Sequence, residues 1–97
     1  MTPLTWSPEA QRDIESIRAY IAEDSTRYAD LVVQRIIATV ERLETFPESG
    51  RIVPERNDPS IREVLVSPYR VVYRFLGKAA EIVTVFHASR SFPTDLQ

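Results

Sequence analysis

Ser67-Pro68-Tyr69-Arg70-Val71-Val72-Tyr73-Arg74-Phe75 is the stretch on which the fold turns. Val, Tyr and Phe dominate it and no helical period runs through it, so it reads as a β-strand opened by a turn. Alternation puts Val71, Tyr73 and Phe75 on one face and Arg70, Val72 and Arg74 on the other. The two Arg bring charge that a plain core strand does not need.

Its neighbours read the same way. Ile61–Val66 lies just upstream, the strand itself extends over Tyr69–Leu76, and Glu81–His87 follows the Gly77-Lys78-Ala79 turn. Three strands in tandem with short turns form an antiparallel meander. In the last, Ile82, Thr84 and Phe86 alternate with Val83, Val85 and His87. Both faces are partly apolar, whereas a sheet with one face in water alternates more cleanly. The second face is therefore expected to be concave, or covered by a ligand, a partner or the tail.

The first half supplies the packing surface. Leu4-Thr5-Trp6 is a short apolar piece suited to a sheet edge. Ser7 is an N-cap, Pro8 fits the first helical position and Glu9 complements the helix dipole. Ala10, Ile14, Ile17 and Ile21 then mark one helical face, ending near Ala22 or Glu23. Asp24-Ser25-Thr26 breaks the chain with capping chemistry. Ala29, Val32, Val33, Ile36, Val40 and Leu43 stripe a second helix, which Pro47 ends near Phe46. Together the two helices make an αα-hairpin. Pro47 to Arg51 is a turn. Residues 52–60, with Pro54, Asn57, Asp58 and Pro59, predict an exposed, mobile loop. The tail from Ser91 to Gln97 is polar, with no predicted core role. The expectation is a single α+β domain over residues 1–97, ordered β-α-α-β-β-β: an antiparallel sheet with a helical hairpin on one face.

Composition limits the chemistry. The chain has 97 residues, 43% hydrophobic and 27% charged, enough for one domain with a thin core. There is no Cys and one His, which rules out thiolate nucleophiles, Cys-based zinc and all-His metal sites. No metal or cofactor is expected. No signal peptide or membrane span is evident, so a cytoplasmic location is the default. The net charge is −2, a poor total for a protein that grips nucleic acid by its phosphates, so direct DNA binding is not expected. Residues 1–50 carry five Arg against nine acids, while residues 51–97 carry six Arg and one Lys against five. Compositional bias is the simplest account of the Arg excess.

The candidate site is a cluster at the strand ends: Arg51, Arg62, Tyr69, Arg70, Tyr73, Arg74, His87 and Arg90. Cleaving RNA needs a base for the 2′-hydroxyl, an acid for the leaving oxygen and a cation for the phosphorane. His87, a Tyr and Arg90 have the right groups. The plainer expectation is structural: Tyr69 and Tyr73 pack on the helices, Arg70 and Arg74 pair with Glu63 or Glu81, and His87 ends a strand. Leu31 or Phe46, near the hairpin, offers apolar surface to an amphipathic partner segment.

The ordered set Trp6-Ser7-Pro8-Glu9-Ala10, Asp13, Tyr20-Ile21, Phe46-Pro47, Gly50-Arg51, Pro54-Glu55, Arg62-Glu63, Tyr69-Arg70-Val71-Val72-Tyr73-Arg74 and Val85-Phe86-His87-Ala88-Ser89-Arg90 resembles the RelE/ParE superfamily of type II toxins. It looks most like the ParE branch, often labelled plasmid stabilisation proteins, and the likeness spans nearly the whole chain. The resemblance implies a toxin held inactive by a ParD-like antitoxin, in a hetero-oligomer whose antitoxin C-terminus wraps the toxin. ParE-branch members poison DNA gyrase, whereas RelE-branch members cut mRNA in the ribosomal A site. The ribonuclease branch tends to carry several Lys or Arg on the strand before Tyr-Arg. Here that strand reads Val64-Leu65-Val66, and the one Lys is Lys78. His87 and Arg90 match the C-terminal His-x-x-Arg of the ParE pattern, and also fall where some ribonucleases place a catalytic residue. A gyrase-binding toxin is the first expectation. A ribosome-dependent endonuclease using His87, Arg90 and Arg62 is the second, and a non-toxic antitoxin-binding module the third.

Overall fold

The computed structural model describes residues 1–94. The chain runs β1 (Leu4–Trp6), α1 (Pro8–Ala22), α2 (Thr26–Glu41), β2 (Arg51–Ile52), β3 (Ile61–Val66), β4 (Tyr69–Phe75) and β5 (Ala80–His87), with a 3-10 turn at Arg42–Glu44 after α2. This is the expected α+β architecture, with β2 as an added two-residue strand.

Both helices start where their caps dictate. The Ser7 hydroxyl accepts the Ala10 N–H at 3.0 Å, and the Ser25 hydroxyl accepts that of Tyr28 at 3.0 Å. Each satisfies a donor that the first helical turn leaves unpaired. At its other end α2 tightens into the 3-10 turn before Pro47, so the α-helix proper stops at Glu41, five residues short of Phe46.

The sheet order is β1-β5-β4-β3-β2. The β2 to β5 pairs are antiparallel, while β1 runs parallel to β5, with Leu4 opposite Ala80 and Trp6 opposite Ile82. The sheet is therefore mixed. Only neighbours joined by a hairpin must be antiparallel, and β1 reaches β5 from the far end of the sequence. Gly77, in the β4–β5 turn, takes φ +96°, a conformation that costs glycine little.

Strict alternation fails in β5. Val72 faces Thr84 and Tyr73 faces Ile82, leaving Val83 as an extra residue in a β-bulge. Ile82 and Val85 therefore share the helix-side core, and Phe86 turns to the other face. The bulge disrupts the ladder, and α1 repairs it. The Ser7 hydroxyl donates to the Val83 carbonyl at 2.8 Å, while one Asp13 carboxylate oxygen accepts the Thr84 hydroxyl at 2.6 Å and the Val85 N–H at 2.9 Å.

The helix-side core packs Ala10, Val32, Ile36, Val40 and Leu43 against Val66, Tyr69, Val71, Tyr73, Ile82 and Val85. Burial of each larger aliphatic here is worth about 1.5–3 kcal/mol. The opposite face has its own small core of Val53, Ile61, Val72 and Phe86, onto which Phe92 packs. So the chain covers its own second face. The segment after β2 is no simple exposed loop: Val53 is fully buried and its N–H donates to the Ile61 carbonyl at 3.1 Å. Nor is the described part of the tail idle, since Phe92 meets Phe86 edge-on at 5.9 Å; residues 95–97 of that tail lie outside the described residues.

Candidate functional site

The eight residues singled out in the sequence do not form one site. The sheet divides them into groups with different surroundings.

Arg51 and Arg70 belong to a charge network on the second face. The Glu63 carboxylate is completely buried and takes Arg51 Nε at 2.5 Å and Arg70 Nε at 2.6 Å. Arg70 turns its other two nitrogens to Glu55 in a fork, at 2.9 and 2.8 Å. Its guanidinium also lies 5.2 Å from the Phe86 ring centre and 5.4 Å from that of Phe92. The Arg70 hydrogen bonds hold the Glu55 carboxyl down at about 2, and the same fork pushes the guanidinium up. Arg74 lies further along this face, at 4.0 Å from Glu81. The pairing expected for Arg70 is thus with Glu63, joined by a second acid, Glu55, that sequence spacing did not reveal.

Tyr73 and Arg62 brace the turn between α2 and β2. The Tyr73 hydroxyl donates to the Pro47 carbonyl at 2.7 Å and accepts the Gly50 N–H at 3.0 Å. Burial pushes its phenol above the usual range. A Cβ on Gly50 would lie 2.6 Å from the Glu63 carbonyl oxygen and 2.7 Å from the Tyr73 hydroxyl, so only glycine fits. Arg62 donates to the Gly50 carbonyl at 2.9 Å and the Glu48 carbonyl at 3.3 Å.

Tyr69, His87 and Arg90 do come together, around an open cleft of about 480 Å³ between α1 and the ends of β4 and β5. Ile17, Val85 and Phe86 line it with apolar surface, and Asp13, Tyr20, Ser16 and Ser89 add polar groups. Tyr69 and His87 are register partners, with rings edge-to-face at 5.6 Å. Burial raises the Tyr69 phenol above its ordinary value, with Tyr28 and Tyr20 adding to the effect. His87 Nδ1 accepts the Ser89 N–H at 3.1 Å and lies 2.8 Å from the Ser89 hydroxyl. A backbone N–H can only donate, so Nδ1 carries the lone pair and the neutral ring holds its proton on Nε2. Arg90 is exposed, and among the described residues its guanidinium meets no carboxylate.

Arg62 is not part of this cleft. It pairs with Tyr73, four residues along β4 from the Tyr69–His87 pair. At about 3.4 Å per residue that is roughly 14 Å. The trio His87, Arg90 and Arg62 is therefore not assembled, because β4 separates its members along the strand. Tyr20, Ser16 and Ser89 were missed as site residues. Tyr20 follows Ile17 by three on the helix, and a large aromatic left 72% exposed beside a core stripe was the available signal. No group of three or more His, Asp or Glu among the described residues could hold a metal ion, and no helix among them is long and apolar enough to cross a membrane.

Comparison with known proteins places this geometry. Residues 4–92 match the family model described as ParE toxin of type II toxin-antitoxin system, parDE. A Sinorhizobium fredii protein named Putative toxin Y4kP is 38% identical over 92 residues, covering 93% of this chain and 92% of that one. Toxin RelE2 of Caulobacter vibrioides is 31% identical over 91 residues, covering 93% and 99%. Among solved structures, a chain of the chromosomal ParDE TA system from P. aeruginosa superposes with a TM-score of 0.73 at 26% identity, covering 90% of this chain and 96% of that one. The YoeB dimer from Staphylococcus aureus shares the fold, with a TM-score of 0.60 at 16% identity over 89% of this chain and 97% of that one. With a family match that leaves out only the two ends, this chain belongs to the ParE toxin family of type II toxin-antitoxin systems.

Proposed function

We propose that this toxin acts by binding rather than by cutting RNA, that its target is DNA gyrase, and that a ParD-like antitoxin neutralises it in a hetero-oligomer. The state of His87 carries this reading. A general base needs a free lone pair facing the substrate. The one lone pair of the His87 ring is engaged by the Ser89 N–H, and the nitrogen left over holds a proton. Tyr69 is no substitute, because burial keeps its phenol protonated. Arg51 and Arg70 are matched by acids, Arg74 approaches Glu81, and Arg62 is held by backbone carbonyls, so these cations are not offered to a phosphate chain. A solved ParDE system as structural neighbour supports the antitoxin partner.

The test is a supercoiling assay on relaxed plasmid with purified gyrase. The expected result is inhibition by the free toxin, relieved by its antitoxin, with ribosome-bound mRNA left intact. Undiminished supercoiling at toxin excess would overturn the proposal. The cleft that joins His87, Ser89 and Arg90 favours one second reading, a ribosome-dependent endonuclease. On that reading primer extension on translated mRNA shows new 5′ ends that Arg90→Ala abolishes. Normal growth on induction without antitoxin would leave the non-toxic binding module.

A further inference from the structure

We infer that the cleft between α1 and the β4–β5 ends is a recognition pocket for an acidic side chain of a protein partner, held beside an apolar or aromatic one. The inference rests on the reading that the toxin acts by binding, and it names what is bound. Three observations carry it. First, Arg90 is a cation at the cleft that no acid answers among the described residues. The chain answers Arg51, Arg62, Arg70 and Arg74 internally, whereas the Arg90 guanidinium stands at the cleft with no carboxylate among the described residues. Second, the rim carries two donors, Arg90 and His87, beside the Asp13 carboxylate. The His87 ring presents Nε2–H, since its Nδ1 is taken by Ser89, and an Arg offers donors alone. Asp13 also lines the cleft; one of its carboxylate oxygens is taken by the Thr84 hydroxyl and the Val85 N–H, and no ion pair joins it to Arg90. Third, the floor is apolar and aromatic: Ile17, Val85, Phe86 and the Tyr69 ring.

A donor rim over an apolar floor suits a carboxylate next to a hydrophobic group, and Arg meets a carboxylate in a two-point fork. The volume of about 480 Å³ lies within the range for a specific pocket and holds a large side chain with its neighbour. A nucleic-acid strand is disfavoured. Tracking a phosphate backbone takes several cations, and one Arg on a chain of net charge −2 does not provide them. The carboxylate is assigned to a Glu or Asp side chain within a segment, and the probes below set this against a chain end.

The experiment is an amide and side-chain NMR titration of the full-length toxin with blocked dipeptides at millimolar concentration. The probes are N-acetyl-Trp-Glu-amide and its neutral match N-acetyl-Trp-Gln-amide, with N-acetyl-Trp carrying a terminal carboxylate and uridine monophosphate carrying a phosphate. The Glu peptide is expected to move the His87 ring, Ser89 and Arg90 signals and to bind at least about tenfold more tightly than the Gln peptide, as befits one charge-assisted hydrogen-bond pair. Arg90→Ala should erase that difference, and Arg90→Lys should keep a smaller part of it. Arg90 is exposed, so both variants retain the fold. Equal binding of the two peptides, or an unchanged preference in Arg90→Ala, overturns the inference. So does a stronger response to N-acetyl-Trp, which moves the site to chain ends, or to uridine monophosphate, which moves it to nucleic acid. The readout contains no gyrase, so failed gyrase inhibition with intact peptide discrimination refutes the target and leaves the pocket standing.

Discussion

Replacing Glu63 by Ala removes the carboxylate that two Arg share, and the structure sets how much this costs. Arg51 is 58% exposed, so water takes over its lost contact. Arg70 is only 9% exposed and loses its Nε partner while keeping the Glu55 fork. The damage therefore concentrates on one half-matched buried cation. Breaking a buried pair in this way costs about 3–5 kcal/mol. The retained fork puts Glu63→Ala at the low end, near 3 kcal/mol, against a total stability on the order of 5–15 kcal/mol for a domain of this size. Arg51→Ala, by contrast, removes only the exposed arm and costs less than about 1 kcal/mol. Equilibrium urea unfolding followed by circular dichroism at 222 nm separates the two. With a slope of about 1–1.5 kcal/mol/M for a small domain, the Glu63→Ala midpoint falls by about 2–3 M and that of Arg51→Ala by less than about 1 M. Near-equal midpoints for the two variants would refute the view that Arg70 burial, and not pairing as such, sets the cost. Filling the same space with Glu63→Leu and Arg70→Met together should recover much of the loss, since buried pairs replaced by apolar groups are often neutral.

Further expectations concern the braces around this network. Tyr73→Phe strands the buried Gly50 N–H and the Pro47 carbonyl, and should cost about 1–3 kcal/mol in the same urea experiment. Gly50→Ala drives a methyl into the Glu63 backbone oxygen at 2.6 Å, so a similar or larger loss is expected, with amide shifts centred on β2 and β3. Asp13→Ala uncovers the Val85 N–H at the bulge and should speed its hydrogen exchange along with that of the neighbouring β5 amides, at a cost of about 1–3 kcal/mol. For Glu55 the sign follows from a folded value near 2, below the ordinary 4.5. The clamp contributes fully above pH 4.5 and fades as pH falls toward 2. The displacement alone corresponds to roughly 3 kcal/mol at 1.36 kcal/mol per pH unit. With the carboxylate side chain 43% exposed, screening leaves about 1 kcal/mol. Glu55→Gln should lose that amount at pH 7 and flatten the acid limb of the stability curve.

The helical hairpin and the meander were legible because they rest on local signals. Ser7-Pro8 and Ser25-Thr26 announce helix starts, and the stripe from Ala29 to Leu43 points one way throughout. The turns at Ser67-Pro68 and Gly77-Lys78 fix the strand pairing. Hidden features depend on contacts far apart in sequence. Nothing in Ile82 to Phe86 signals that Val83 is extra, because the groups that satisfy the bulge sit on α1 and its N-cap. Glu55 lies in a stretch rich in Pro and Asn and reads as solvent-exposed until Arg70 is placed beneath it. Phe92 is a lone aromatic in a polar tail, and its packing depends on Phe86 having turned to the second face. The site was half legible. Residue types picked out Tyr69, His87 and Arg90. They could not tell that Arg62 and Tyr73 brace a turn, since the separation is a distance along β4 and not a property of either residue.

The stitching of β1 and Ser7 onto β5 also has a consequence in time. The partners of Leu4, Trp6 and Ser7 are Ala80, Ile82 and Val83, so β1 must wait while more than seventy further residues are made. Synthesis proceeds at about 5–20 residues per second, so several seconds separate the two ends. During that interval α1, α2 and then β4 are made without β5, and the cleft lacks its β5 wall. Translation interrupted anywhere before Ala80 yields an incomplete sheet, with neither His87 nor Arg90. The topology thus makes synthesis through Arg90 a precondition for forming this cation-rimmed cleft, and a ribosome that stalls before that point releases no fragment that carries it.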